Sequence, residues 1–347
     1  MRILVVRFSS LGDLVLTSSP LKSLHQAHPQ AQIFLLTKSK YQKLAECLPF
    51  VTQVISIDPE KSHKGLKGFF RLIKELKSYN FDVIVDLHSN WRSFLIRKFL
   101  AAPQKIKYDK RSLARFLMVH WKVLKIKPQH TLELYNSALR KLGDGSRILP
   151  PQLILQPADL NWASDYLKER KVFPGDFLVG LSPGAKWETK RWDKEKFVEV
   201  GEILAEKVNA KIIIFGDEKE SELVNYIAQN LNGQNPVCAL DLKLNQLVAL
   251  IDQCKLFISN DSGLMHIATA RSVPTVTIFG PTHPKLGFTP FGEKSIALTA
   301  NVKCSPCSLH GKTPCYQKSR FCMDFISPQQ VVEESLKILS TVVSLAK

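Results

Sequence analysis

The chain has 347 residues, 45% of them apolar, and a formal net charge of +17. That length favours two domains of roughly 150 residues over a single core, and no apolar run approaches the roughly 18 residues that would span a bilayer. The charge is a patch and not a coat: residues 61–127 hold 17 Lys and Arg against 4 Asp and Glu, which suits an anionic partner such as nucleic acid, an anionic membrane or a phosphorylated ligand, the alternative being a solvated basic face.

In chain order, Ile3 to Val6 is a short apolar run between Arg2 and Arg7. It reads as the core of a first strand, Arg2–Phe8, and not as a signal peptide, so a cytoplasmic protein is expected. Ser9-Ser10-Leu11-Gly12-Asp13 forms a turn, and a helix runs on to about Ala27. Gln32–Thr37 and Phe81–Leu87 read as further strands, the latter apolar except for its Asp residues. Strands separated by helical stretches imply βαβ units and a parallel sheet. Pro150-Pro151 and the residues up to about Gln156 read as a linker, followed by a helix over Pro157–Arg170. Alternation then restarts with strands at Phe177–Leu181, Lys211–Phe215, Val237–Ala239, Leu256–Ser259 and Thr275–Phe279. Ser327-Pro328 supplies a cap and an N1 proline for a last helix. Val331, Val332, Leu336, Leu339, Val342 and Val343 give that helix an apolar stripe, expected to pack back on the first domain. The expected division is 1–155, 156–327 and a terminal helix over 328–347.

The most informative stretch runs from Phe257 to Ala268, where an apolar strand ends in Asn260-Asp261-Ser262-Gly263 and a helix beginning at Leu264 carries His266. A strand feeding a glycine turn and a helix N-terminus gathers free N–H groups and the positive end of a helix dipole at one spot, a phosphate site. A second buried strand ends in Phe279-Gly280-Pro281-Thr282, and both loops are expected at one sheet edge, where α/β proteins bind ligands. Ser182-Pro183-Gly184-Ala185 and Lys190-Arg191-Trp192 combine a glycine turn with two cations, which fits a pyrophosphate clamp or, alternatively, a basic surface loop. Glu218, after Gly216-Asp217, is placed to bind ribose hydroxyls or to cap a helix. Asp13 lies where a helix dipole favours the carboxylate, as a catalytic base or as a plain N-cap acid.

Cys304, Cys307, Cys315 and Cys322 cluster late in the chain. Their spacing departs from a zinc ribbon, which leaves a structural metal cluster or packed thiols in an ordered loop. Several motifs are missing. No G-x-G-x-x-G occurs, so dinucleotide oxidoreduction is disfavoured. Gly311-Lys312-Thr313 echoes a P-loop, but Pro306 stands where its first glycine belongs. No Asp-x-Asp pair offers the metal site of metal-dependent sugar transferases, so no catalytic metal and no cofactor is expected.

Taken in order, these motifs resemble the heptosyltransferases of lipopolysaccharide inner-core synthesis, glycosyltransferase family 9. The likeness runs from the Arg2–Arg7 strand with Ser10-Leu11-Gly12-Asp13, through Pro183-Gly184-Ala185 with Lys190-Arg191-Trp192 and Gly216-Asp217-Glu218, to Asn260–His266 and Phe279–Thr282. Cys304-Ser305-Pro306-Cys307 resembles the type II branch. The proline of the family's Lys-x-Trp-Pro is Asp193 here, a change confined to the local turn.

The resemblance implies a GT-B architecture, two Rossmann-like domains facing a central cleft with the donor on the C-terminal one. It implies an ADP-heptose donor, a lipopolysaccharide inner-core acceptor and an inverting reaction. By match, Asp13 is the base, Lys190 a diphosphate ligand and catalytic cation, and Glu218 a ribose ligand. Asp261 contacts the heptose, while Gly184, Ser262, Gly263, Leu264 and His266 line the donor site. The basic segment, with Lys64, Arg71, Arg92, Lys107 and Arg111, is expected to hold the acidic acceptor beside the anionic inner-membrane surface, on its cytoplasmic face. Domain closure is expected to exclude water. Three other readings remain: the same fold with another nucleotide sugar or acceptor, a catalytically silent sugar-nucleotide-binding protein of that fold, which an intact Asp13 disfavours, and a nucleic-acid-binding protein, which the lack of a recognised nucleic-acid module disfavours.

Overall fold

A computed structural model describes all residues except 124–126, 144–146 and 346–347, and the side chains up to residue 341. It divides into two units, Met1–Ser112 with Gln129–Ile154, and Leu113–Pro128 with Leu155–Lys347. Among the described residues, no helix is long and apolar enough to cross a membrane.

The first unit alternates β1 (Arg2–Val6), α1 (Leu11–Leu16), α2 (Ser18–Ala27), β2 (Gln32–Lys38), α3 (Gln42–Ala45), β3 (Gln53–Ile57), α4 (Gly65–Lys77), β4 (Val83–Asp86), α5 (Trp91–Phe99) and β5 (Gln104–Lys107). α6 (Ser112–His120) and α7 (Thr131–Leu139) follow. The sheet is parallel in the order β3-β2-β1-β4-β5. β1, β2 and β4 are buried apolar strands, as a sheet covered on both faces requires. On one face Leu72, Ile73 and Leu76 of α4 and Ile96 and Leu100 from α5 and its end pack on Leu4, Val6, Leu36 and Ile84. α7 packs against α2, with Asn136 bonded to Ser23 and Ser19 at their contact.

The second unit comprises α8 (Pro157–Glu169), β6 (Phe177–Ser182), α9 (Lys194–Val208), β7 (Ala210–Gly216), α10 (Ser221–Asn230), β8 (Val237–Leu240) and α11 (Leu244–Asp252). It continues with β9 (Leu256–Asn260), α12 (Gly263–Ala270), β10 (Thr275–Phe279), β11 (Ser295–Thr299), α13 (Phe321–Asp324) and α14 (Pro328–Leu345). Its six parallel strands run β11-β10-β9-β6-β7-β8. Counted from the first strand of each unit, both sheets use one winding. The first strand sits centrally, and the order reverses beside it, between β1 and β4 and between β6 and β9. Ligands bind at the carboxyl ends of strands flanking such a reversal.

Two expectations need correction. The terminal helix, expected to pack back on the first domain, packs within the second unit: Val331, Val332 and Ile338 of α14 are buried in its core, beside Val200 of α9 and Ile278 of β10. Val342 and Val343, also assigned to its apolar stripe, lie outside the described side chains. Residues 113–128, expected with the first domain, belong to the second unit. Met118 and Val119 pack on Leu286, Arg115 lies over the Phe288 ring, and Lys122 donates to the carbonyl of Cys304. The apolar face of α6 finds its cover there.

Candidate active site

In the first unit the site grows from the carboxyl end of β1. Ser10 caps α1, and Asp13 occupies the third helical position. Its Oδ2 accepts from the Ser10 N–H at 3.1 Å and from the Ser10 hydroxyl at 2.7 Å. A side chain held this way satisfies helix N–H groups, so Asp13 is in part the capping acid that its position allows. Two further partners exceed what a cap needs. The Arg7 guanidinium pairs with Asp13 Oδ2 at 2.5 Å, and the Tyr135 hydroxyl donates to Oδ1 at 3.2 Å. Arg7 is buried, 5% exposed. It donates to the Leu87 carbonyl at the end of β4 and lies 5.5 Å from the Tyr135 ring centroid.

Burial works against the Arg7 charge, but the Asp13 carboxylate, with Tyr135 and Tyr108, outweighs it and raises the Arg7 pKa. Burial also pushes the Tyr135 phenol well above its ordinary value, so Tyr135 keeps its proton and stays a donor. His88 stands on the loop after β4, edge-on to Phe8 at 5.0 Å. Burial, then the Arg7 and Lys110 charges, pushes it down to about 3, so it is neutral at physiological pH. Its Nδ1 is buried with no hydrogen-bond partner among the described residues. The carboxyl ends of β1 and β4 thus bring one carboxylate, one buried guanidinium and one neutral imidazole to the reversal point of the sheet, and α7 adds the Tyr135 phenol.

In the second unit the carboxyl ends of β6 and β9 meet. Asn260, fully buried, accepts from the Trp192 N–H at 3.0 Å and donates to the Pro183 carbonyl at 2.6 Å. It thereby ties the loop carrying Gly184 to the loop carrying Lys190. The Lys190 ammonium pairs with Asp261 Oδ2 at 2.7 Å, and the Thr282 hydroxyl donates to the same oxygen at 2.6 Å. The loops after β9 and β10 therefore open side by side, as anticipated. Ser262 caps α12, its hydroxyl accepting from the Leu264 N–H at 3.3 Å. Gly263 begins that helix, Leu264 is half-buried, and His266 is packed at 4% exposure.

Gly184 lies against the Glu220 carboxylate: a Cβ there would meet it at about 2.1–2.2 Å. Glu220 faces Arg191 at 3.6 Å, and burial pushes its carboxyl up. Glu218 stands exposed two residues earlier, behind the capping Asp217. Asp193, in place of the family's proline, sits at the N-cap of α9 and pairs with Arg320 at 2.9 Å.

The structure thus gathers Lys190, Asp261, Ser262, Gly263 and Leu264 about one strand end, with Gly184 on the adjoining loop. Lys64, Arg92 and Arg111 come from loops and helix starts and Lys107 from the end of β5, all at the carboxyl edge of the first sheet, whereas Arg71 lies two turns into α4. Sequence reasoning misses Tyr135, His88 and the contacts of Glu220 with Arg191 and the Gly184 loop, and passes over Arg7 as a strand flank. The four late cysteines line one small pocket with Thr189, Pro281 and Arg320. Burial, then the neighbouring thiols, pushes Cys322 up to about 12. Among the described residues no group of three or more His, Cys, Asp or Glu is placed to hold a metal ion.

Comparison with known proteins agrees along the whole chain. A sequence model described as glycosyltransferase family 9 (heptosyltransferase) matches residues 69–316. Lipooligosaccharide heptosyltransferase 2 of Campylobacter jejuni is 30% identical over 340 residues, 95% of either chain. Lipopolysaccharide heptosyltransferase 2 of Escherichia coli is 26% identical over 302 residues, 84% of this chain and 85% of that one. Among solved structures, a family 9 glycosyl transferase from Veillonella parvula superposes with a TM-score of 0.82 at 22% identity, covering 98% of this chain and 97% of that one. The E. coli ADP-heptose lipopolysaccharide heptosyltransferase II gives 0.76 at 24% identity, covering 98% and 99%.

Proposed function

Because the chain belongs to glycosyltransferase family 9, the heptosyltransferases, we propose that it moves heptose from ADP-L-glycero-D-manno-heptose to a sugar hydroxyl of the lipopolysaccharide inner core. The reaction is a single inverting displacement that needs no metal. An acceptor hydroxyl attacks the anomeric carbon opposite the ADP and gives its proton to Asp13 as general base. Positive charge grows on the sugar ring and negative charge on the departing diphosphate. Lys190 and the start of α12 stabilise the diphosphate, taking the part a divalent ion plays elsewhere. Glu218 binds the ribose, and Asp261 turns from Lys190 toward the heptose hydroxyls when the donor is bound. Lys64, Arg71, Arg92, Lys107 and Arg111 hold the phosphorylated acceptor at the cytoplasmic face of the inner membrane.

The observation that carries this reading is the Asp13 carboxylate fixed by Arg7 and Tyr135 at the reversal point of the first sheet. A mere cap needs neither partner. The donor half is tested by calorimetry with ADP. Lys190→Ala should weaken binding about tenfold or more, since it removes a cation from a phosphate. Unchanged affinity and unchanged turnover would place the diphosphate elsewhere.

A further inference from the structure

α4 and α5 lie on one face of the first sheet, and beside Arg71 and Arg92, which the proposed reaction assigns to the acceptor, their outward side carries exposed apolar side chains that it does not use. Leu66 is 76% exposed, Phe70 54% and Phe99 40%. Single exposed apolar side chains are ordinary; these are continuous. The Phe70 ring packs on Phe99 and on Phe69, each at 5.8 Å between centroids. Leu66, Phe70 and Lys74 follow at four-residue spacing along one row of α4, with Lys67 and Arg71 in the next row. Lys67, Arg71, Lys74 and Lys77 face a single acid on that helix, Glu75. Exposed Trp91 and Phe94 continue the pattern on α5, with Arg92 and Arg97 over their rings at 5.2 and 5.7 Å.

We propose that the outer face of α4 and α5 is a membrane-docking surface, which inserts Leu66, Phe70 and Phe99 among the headgroups of an anionic bilayer. Apolar tips flanked by long cations match that boundary, where rings reach the acyl region and ammonium groups stay at phosphate level. A protein partner fits less well, because lysine is depleted from protein interfaces and this face is rich in it. The docking complements a lipid-anchored acceptor and rests on that reading. Vesicle binding is measured without acceptor or donor, however, so the two claims fail separately.

The test is co-flotation of the full chain with vesicles of phosphatidylcholine, with and without phosphatidylglycerol. Wild type should bind only the anionic vesicles, and less as salt rises. The double variant Leu66→Ser with Phe70→Ser should lose at least about tenfold in partition. Lys67→Gln with Lys74→Gln should lose about tenfold at low salt. The Leu66→Ser and Phe70→Ser pair should still turn over a water-soluble, deacylated core oligosaccharide, which shows that it is folded. Phe70→Trp gives a second readout, a blue shift in tryptophan emission on anionic vesicles alone. Equal binding by wild type and the Leu66→Ser, Phe70→Ser variant, or an unshifted emission from the Phe70→Trp variant, overturns the proposal. So does a wild-type dimer that these variants dissolve while no vesicle binding occurs, which would make the face a contact between two copies.

Discussion

The contacts made by the two oxygens of Asp13 have different consequences. The Ser10 contacts would persist in any capping acid, whereas the Arg7 and Tyr135 contacts orient the carboxylate. Asp13→Asn keeps the shape and removes the base, so kcat should fall by about 10² to 10⁴ while ADP affinity holds. A kcat within about threefold of wild type in a folded variant would leave Asp13 only its cap. Tyr135→Phe removes one orienting bond and should lower kcat more than it changes either KM. His88 gives a signature in stability. Its folded pKa of about 3 lies below its ordinary value of 6.5, so below pH 6.5 the unfolded chain takes up a proton that the folded chain refuses. Stability should therefore fall from pH 6.5 toward 3, by at most about 1.4 kcal/mol per pH unit from this group. His88→Gln should flatten that part of the denaturation-versus-pH profile, and an unchanged slope would show that His88 is charged when folded. Asp13 is legible in the sequence because a glycine, an acid and a helix start sit together. Tyr135 is not, because 122 residues separate it from its partner and no local pattern marks a phenol that folding brings to a carboxylate.

At the level of strands and helices, the sequence speaks clearly wherever both faces of a strand are covered. β1, β2, β6, β9 and β10 are apolar runs whose position can be read to within two residues. β3, β5 and β11 escape such a reading, and all three are edge strands. Their sequences, QVISI, QKIK and SIALT, keep few fully buried positions, so the apolar run that identifies a central strand never forms. Tight packing inside the second sheet sets a further expectation. A Cβ on Gly180 of β6 would come within 2.6 Å of the Phe257 ring and 3.0 Å of the Cys254 sulfur. Both are core atoms with nowhere to go, so Gly180→Ala should destabilise the protein by about 1–3 kcal/mol, read as a lower melting temperature. An unchanged melting temperature would mean that β6 and β9 can separate without cost.

Across the whole molecule, one winding used twice explains why function concentrates where it does. Each sheet reverses its strand order once, and each reversal carries the polar groups: Arg7, Asp13 and His88 in the first unit, Asn260, Asp261 and Lys190 in the second. The sequence reveals both halves through their alternation, and the GT-B class follows from the fold and its relatives. It misplaces α14 and residues 113–128, because an amphipathic stripe says that a helix is covered and not by which neighbour. The central claim is transfer of heptose onto a lipopolysaccharide core, and the direct measurement is intact mass spectrometry of a purified inner-core acceptor after incubation with the enzyme and ADP-heptose. The account predicts a gain of one heptose per acceptor with release of ADP, undiminished by EDTA and nearly abolished in Asp13→Asn. An acceptor of unchanged mass with ADP-heptose, but extended with a different nucleotide sugar, would contradict it.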